Sequence, residues 1–251
     1  MAHDENHAAR HGPGQPDELL NVQYEPNHVN ALGLAWISAS QISIAAGECR
    51  NTTNAENIVL SGAVTVDITA SGANGLDTGA EAAATWYAVH VIKDSADVLA
   101  VAGLLSLSAA APTLPAGYDV FRRVGWVRND SGSNIAEFVA EGNERNRRSL
   151  YTSSIVNAKV LSSGSATVLT EVSVANLIPS TAKHGILMCR QIGTPYAYVQ
   201  RLNDANITMS FMPASQDWTM FPVSPTKSLW YKNASAGGDF NIYIMGWTES
   251  L

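Results

Sequence analysis

The sequence predicts a mainly β protein, with two antiparallel β-sandwich-like domains preceded by an extended N-terminal arm. Three observations carry that expectation. Short runs alternate apolar and polar residues with period two, as a strand does when successive side chains face opposite ways. Gly, Asn, Ser and Pro punctuate these runs, the pattern of a many-stranded antiparallel fold. Helix signals are thin: GAEAAATW (Gly79 to Trp86) supports about two turns, and DELLNVQY (Asp17 to Tyr24) about one turn behind an Asp cap.

The arm comprises residues 1–28. Its stretch HAARHGPGQPDELL cannot build a core, and ordering such a segment costs roughly 1 to 2 kcal/mol per residue unless contacts offset it. The arm is therefore expected to be bound by other chains. Pro13 and Pro16 restrict its free state, while Gly12 and Gly14 permit close backbone approach. With His3, His7, His11 and Asp17 they form the expected anchor.

The first β domain is expected over 29–143. In AVTVDITAS, Val64, Val66 and Ile68 can face a core while Thr65, Asp67 and Thr69 face out. TWYAVHVIK (Thr85 to Lys93) and YDVFRRVGWV (Tyr118 to Val127) read as strands too, and NDSGSN (Asn129 to Asn134) has the Asp and Gly that a hairpin turn needs. In EGNERNRRSL the alternation stops, so 144–150 are expected to be a linker, with Arg145, Arg147 and Arg148 solvated or at an interface. The second β domain, 151–251, carries ATVLTEVSV (Ala166 to Val174), NITMSFM (Asn206 to Met212) and DFNIYIMGW (Asp239 to Trp247), with a hairpin turn at SAGGD (Ser235 to Asp239). Each block closes on an apolar run ending in Gly-Trp, at Gly125-Trp126 and Gly246-Trp247; the remainder does not align.

Composition narrows the function. Hydrophobic residues make up 46% of the 251, ample for a core in each block, while charged residues are only 15%. Of the fifteen basic residues five are Lys, and a surface poor in charge and in Lys suits protein contact. A net charge of -7 argues against a nucleic-acid groove, which needs a concentrated positive field. The first residues lack the apolar core of a signal peptide, and the apolar stretch Val98 to Leu105 is too short to span a bilayer, so membrane insertion is not expected. Cys49 and Cys189, far apart, read as buried free thiols.

No constellation names a reaction. The nucleophile elbow G-x-S-x-G, the phosphate-binding G-x-x-x-x-G-K-[ST], the dinucleotide G-x-G-x-x-G, H-E-x-x-H and the Asp-rich calcium loop are all missing. A pair of carboxylates meeting in space stays open, and with it a depolymerase. No catalytic residue, cofactor or metal is assigned. His3, His7 and His11 recur every four residues, which on a helix would stack three imidazoles, but Gly12-Pro13-Gly14 stops a helix there and neutral hydrogen-bonding side chains fit better. His90 reads as a satisfied core or interface residue. Aromatic residues gather in the last third, where Tyr196, Tyr198, Trp218, Trp230 and Tyr231 are candidates for stacking on sugar faces. Tyr196 and Tyr198 share a strand face, and sandwich core is the competing reading for any single ring.

GLDTGAEAAATWYAVHVIKD followed by PTLPAGYDVFRRVGWVRND resembles a module of fibre, spike and decoration proteins of tailed bacteriophages, prophages and phage-derived gene transfer agents. Asp77-Thr78-Gly79, Thr85-Trp86-Tyr87, Leu114-Pro115-x-Gly117-Tyr118 and Arg122-Arg123-Val124-Gly125 carry the likeness. The second block is similar to small β domains appended to such fibres. HAARHGPGQPDEL resembles a His, Gly-Pro and Asp segment near the front of fibre proteins, with Gln15 where that pattern has a second Gly. The resemblance implies a homotrimeric virion protein, a head spike, tail fibre or capsid decoration, assembled in the bacterial cytoplasm. Its arm would dock on capsid or tail proteins of the same particle, and host surface polysaccharide is a further expected partner.

Overall fold

The computed structural model describes residues 24–143, 146–152, 158–192, 196–201, 208–212 and 214–251. They form an antiparallel, all-β, sandwich-like fold, with no helix among the described residues and hence none long and apolar enough to cross a membrane. The first half holds β1 (Val29–Ala31), β2 (Leu34–Trp36), β3 (Gln41–Ile44), β4 (Gly47–Arg50), β5 (Asn57–Leu60) and β6 (Val64–Asp67). Longer strands follow: β7 (Thr85–Lys93), β8 (Val101–Ser106), β9 (Val120–Asn129), β10 (Phe138–Asn143) and β11 (Asn146–Tyr151). Next come β12 (Lys159–Gly164), β13 (Thr170–Ser173), β14 (His184–Gln191) and β15 (Ala197–Gln200). The last are β16 (Thr208–Phe211), β17 (Gln216–Pro222), β18 (Ser228–Asn233) and β19 (Phe240–Glu249).

One long sheet runs β17-β14-β19-β11-β10-β2-β3-β6, with β12 also on β19, and so joins strands from both halves of the chain. Smaller sheets, β1-β4-β5, β8-β7-β9 and β13-β18-β15-β16, pack around it. The register of the long sheet places Thr65, Ser43, Ala35, Val139, Leu150, Gly246, Ile186 and Met220 side by side in one row, without a charge. This row faces outward: its neighbours Leu34, Ile42, Ile44, Val66 and Phe138 turn the other way into the core.

Alternation accounts for the cores. Val66 and Ile68 are buried and Thr65 and Thr69 exposed, as their spacing requires. One core is built from Val29 to Phe138 with Leu251 against it; the other collects residues from Val172 to Trp247 and also takes Ala88 and Trp126 from the first half. What sends Trp126 across is a β-bulge. Val89 pairs Gly125 but His90 pairs Arg123, leaving Val124 as the extra residue; in the second half Ile186 pairs Gly246 and Leu187 pairs Ile244, leaving Met245. Both Gly-Trp pairs thus sit at a bulge that re-aims the indole. A Cβ at Gly246 would lie 2.0 Å from the Ser149 carbonyl oxygen, so only glycine lets β11 approach there. Trp126 and Trp247 meet the ring of Trp86 edge-on, with centroids at 6.4 and 5.1 Å.

Polar bonds fasten the same junction. Glu249, buried on β19, takes Arg123 Nη1 at 2.6 Å and the Thr181 hydroxyl at 2.9 Å, and Trp126 Nε1 donates to Thr181 Oγ1 at 2.8 Å. Trp86 Nε1 donates to the Ala175 carbonyl at 3.2 Å, Arg128 Nε to Asn176 at 2.6 Å and Tyr151 Oη to Leu177 at 3.1 Å, so first-half side chains and β11 hold three successive carbonyls of one second-half loop.

Three expectations are corrected. The segment expected as a linker is strand over 146–151, paired with β10 on one side and β19 on the other. Its charges broke the alternation because they have structural partners. Arg147 is buried and donates to the carbonyls of Ala31, Leu32 and Val124, which holds Ala31 and Leu32 in left-handed backbone, while Arg148 pairs with Glu141. Gly79 to Ala84 form no helix: Gly79 and Ala84 have positive φ, Tyr87 Oη accepts the Ala82 N–H at 2.9 Å, and Asn129 Nδ2 donates to the Ala82 carbonyl at 2.8 Å. NDSGSN closes a tight antiparallel reversal, with Asn129 bridged to Ile135 and the Ala136 N–H donating to the Arg128 carbonyl at 2.8 Å, before the chain leaves for another sheet, whereas SAGGD reverses the chain without making a hairpin. β9 and β10 lie in different sheets, as do β18 and β19, so both turns are corners between sheets. The short helix expected at Asp17 to Tyr24 falls almost wholly outside the described residues.

Candidate functional site

Two places differ from ordinary sandwich surface. The first is where the described chain begins. Asn27 N–H donates to Asn54 Oδ1 at 2.7 Å and Arg50 N–H to the His28 carbonyl at 2.8 Å, fixing this entry segment on β4 and the loop that follows it. The Tyr24 hydroxyl donates to Glu48 Oε2, His28 Nε2 lies 3.5 Å from Glu48 Oε1, and the Tyr24 and His28 rings are 4.5 Å apart. That hydroxyl, aided by Asn30 and His28, holds the Glu48 carboxyl below its ordinary pKa, and the same bond pushes Tyr24 up. A concavity between Glu25 to Val29 and Ser250 to Leu251 opens beside the cluster, and Leu251 packs on the first core. The arm thus joins the body on the first half. His3, His7, His11, Gly12, Pro13, Gly14, Pro16 and Asp17 lie outside the described residues.

The second place is the outer face of β13-β18-β15-β16. Alternation on β15 and β18 sends Ala197, Val199, Leu229 and Tyr231 into the second core and leaves Tyr198, Gln200, Trp230 and Lys232 on the other side. Tyr198 pairs with Lys232 and Gln200 with Trp230, so Tyr198 and Trp230 are diagonal neighbours. Lys232 Nζ stands 5.7 Å from the Tyr198 ring centroid, and Tyr196, 46% exposed, extends the face beyond the strand end. A depression opens here, lined by Thr167, Tyr198, Gln200, Lys232, Asn233 and Ala234. Its wall is fixed from below: buried Asn233 donates through Nδ2 to the Gly164 carbonyl at 3.0 Å, holding the loop that carries Thr167.

Of the five aromatic candidates, three are brought together. Tyr196, Tyr198 and Trp230 share this face. Tyr231 is corrected: one position from Trp230 on the same strand it must point inward, where its ring lies 6.1 Å from Phe240 and no external ring can reach it. Trp218 is exposed but belongs to β17 of the long sheet, a separate surface.

No protein-family model matches this chain. Nor does any curated protein or solved structure match it.

The face offers aromatic surface, an ammonium and side-chain amides, which suits a ligand with one apolar face and several hydroxyls. Lys232, Gln200, Thr167 and Asn233 were not singled out in the sequence. For Lys232 the signal was present, since W-Y-K puts Trp230 and Lys232 on one strand face; Thr167 comes from a loop, and spacing cannot place it. The thiols carry no chemistry here: burial pushes Cys49 up to about 12 and also raises Cys189. His90 is fully buried, its Nε2 3.0 Å from the Ser108 carbonyl, and burial lowers its pKa to about 4. Among the described residues no group of three or more His, Cys, Asp or Glu is placed to hold a metal.

Proposed function

We propose that this chain is a non-enzymatic structural subunit of a phage-like particle, a head or tail fibre or spike, docked through its N-terminal arm and self-associating, as a homotrimer on the resemblance above. The observation that supports this reading is the division of labour between the halves. The arm joins the body beside Glu48 and Leu251 on the first core, the aromatic face lies on the sheet covering the second core, and the indole cluster with Glu249 couples the two. A subunit that holds on at one half and meets its surroundings with the other needs such a coupling. Deleting Met1 to Pro26 tests the anchor: the expected result is a folded chain that no longer joins particles, and unchanged incorporation refutes it.

A second reading concerns the aromatic face. Tyr196, Tyr198, Trp230 and Lys232 on one sheet surface support a carbohydrate-binding module for a bacterial surface polysaccharide. On a glycan array Tyr198→Ala and Trp230→Ala should remove binding while Trp218→Ala leaves it intact. Absence of binding across host capsule and lipopolysaccharide fractions counts against this reading and leaves the anchor untouched.

A further inference from the structure

We propose that the outward face of the long sheet, centred on the uncharged row that ends at Met220, is where copies of this chain meet. The proposal takes the self-association above one step further, from the existence of copies to the face that joins them.

The face has three properties that a soluble sheet surface ordinarily avoids together. It is apolar at one end: Trp218 is 57%, Met220 55% and Val139 45% exposed, and Ile186 and Leu150 lie between them in register. It is large, since eight strands at sheet spacing span roughly 34 Å, and rows about 17 Å long make roughly 600 Å², close to the about 800 Å² per partner of a standard interface. It also ends in an open edge. The Ser215 carbonyl accepts from Gln191 N–H at 2.9 Å, so Asp217, Thr219 and Phe221 turn their backbone toward β14 and Gln216, Trp218 and Met220 turn theirs away, where no described strand pairs with them. Edges of this kind are normally blunted by Lys, Pro or an inward-pointing charge; β17 has Asp217 near one end and Pro222 at the other, and the stretch Trp218 to Phe221 between them has none of these.

Charge selects the partner. A chain of net charge -7 repels its own copies over most of its surface, but this row has no charge to oppose. On its flank Arg148 and Glu141 form an exposed pair on neighbouring strands. Around the three-fold axis of a homotrimer the Glu141 carboxylate of one copy can meet the Arg148 guanidinium of the next, so that opposite charges face each other at every contact. The surface is therefore complementary to itself.

The test uses the purified full-length chain. Sedimentation equilibrium should give a multimer, and both Met220→Asp and Val139→Asp should weaken association at least about thirty-fold, as truncating an interface anchor does. Tyr196→Asp, on the other sheet, should leave the mass unchanged. Both substituted positions are largely exposed, so folding should survive; should either aspartate variant fail to fold, Met220→Gln and Val139→Thr replace them with the same expectation of weakened association. A wild-type monomer at the highest soluble concentration overturns the proposal, and so does a multimer that either Met220 variant and either Val139 variant leave intact. A monomer also refutes the self-association proposed above, whereas a multimer left intact by the variants refutes this face alone; neither touches the arm's role, which is read from particle attachment.

Discussion

The two Gly-Trp bulges invite comparison because the same local device ends in two different chemical settings. Gly125-Trp126 and Gly246-Trp247 each follow one extra residue in a strand, and both indoles bury against Trp86. Trp126 has a polar tether through Thr181 to Glu249, whereas Trp247 Nε1 is buried with no hydrogen-bond partner among the described residues. Trp247 compensates with contact: it lies 5.6 Å from the Tyr151 ring as well as against Trp86, at the centre of the second core. One indole is thus held by direction and the other by packing, and together they couple strands of opposite halves.

The largest effect is expected from the packed ring. Trp247→Ala should cost about 3 to 5 kcal/mol, the range for deleting a buried aromatic side chain, read as a lower denaturation midpoint in guanidinium. Loss of the tether's acceptor comes next. Glu249→Ala leaves Arg123 beside a buried hole and should cost about 3 kcal/mol, with Thr181→Val, which keeps the shape and removes the hydroxyl, costing about 1 kcal/mol. A difference measurement isolates the comparison itself: Trp126→Phe should be more destabilising than Trp247→Phe by about 1 kcal/mol, since both shrink the ring and only the first breaks a hydrogen bond. Equal losses would mean that the tether contributes nothing.

The buried histidine gives a pH test within the first half. Burial of His90 on β7, with Arg123 on the neighbouring strand acting in the same direction, lowers its pKa from the usual 6.5 to about 4 against the opposing pull of the Ser108 carbonyl and the Asp77 carboxylate. The unfolded chain therefore binds a proton between those values that the folded chain refuses, so stability is whole above pH 6.5 and declines as pH falls toward 4, by about 3 kcal/mol in total. His90→Leu should flatten that stretch of the stability profile. An unchanged slope would assign the acid sensitivity to other groups.

The strands were readable from sequence where alternation is enforced by one wet and one dry face. Thr85 to Lys93 is bounded as its pattern indicates, and Val66 and Ile68 face in. Partners were not readable. NDSGSN encodes a reversal through Asp130, whose Oδ1 accepts the Gly132 N–H at 2.7 Å and the Asn134 N–H at 3.0 Å, but that chemistry is local and cannot say whether the next strand pairs or departs to another sheet. EGNERNRRSL concealed a strand because Arg147 is occupied by distant carbonyls of Ala31 and Leu32, which no window of sequence contains. The candidate site was half visible for a similar reason: Tyr196, Tyr198 and Trp230 follow from strand parity, the same parity removes Tyr231, and Thr167 reaches the face only through the fold.

Coupled through Trp86, Trp126, Trp247 and Glu249, the halves should unfold as one body, so that force taken up at the arm's end reaches the aromatic face. Calorimetric unfolding of the full chain at fixed concentration tests it most directly. A single transition whose calorimetric and van't Hoff enthalpies agree is expected, and its division into two on Trp247→Ala. Two separated transitions in the unsubstituted chain would contradict it.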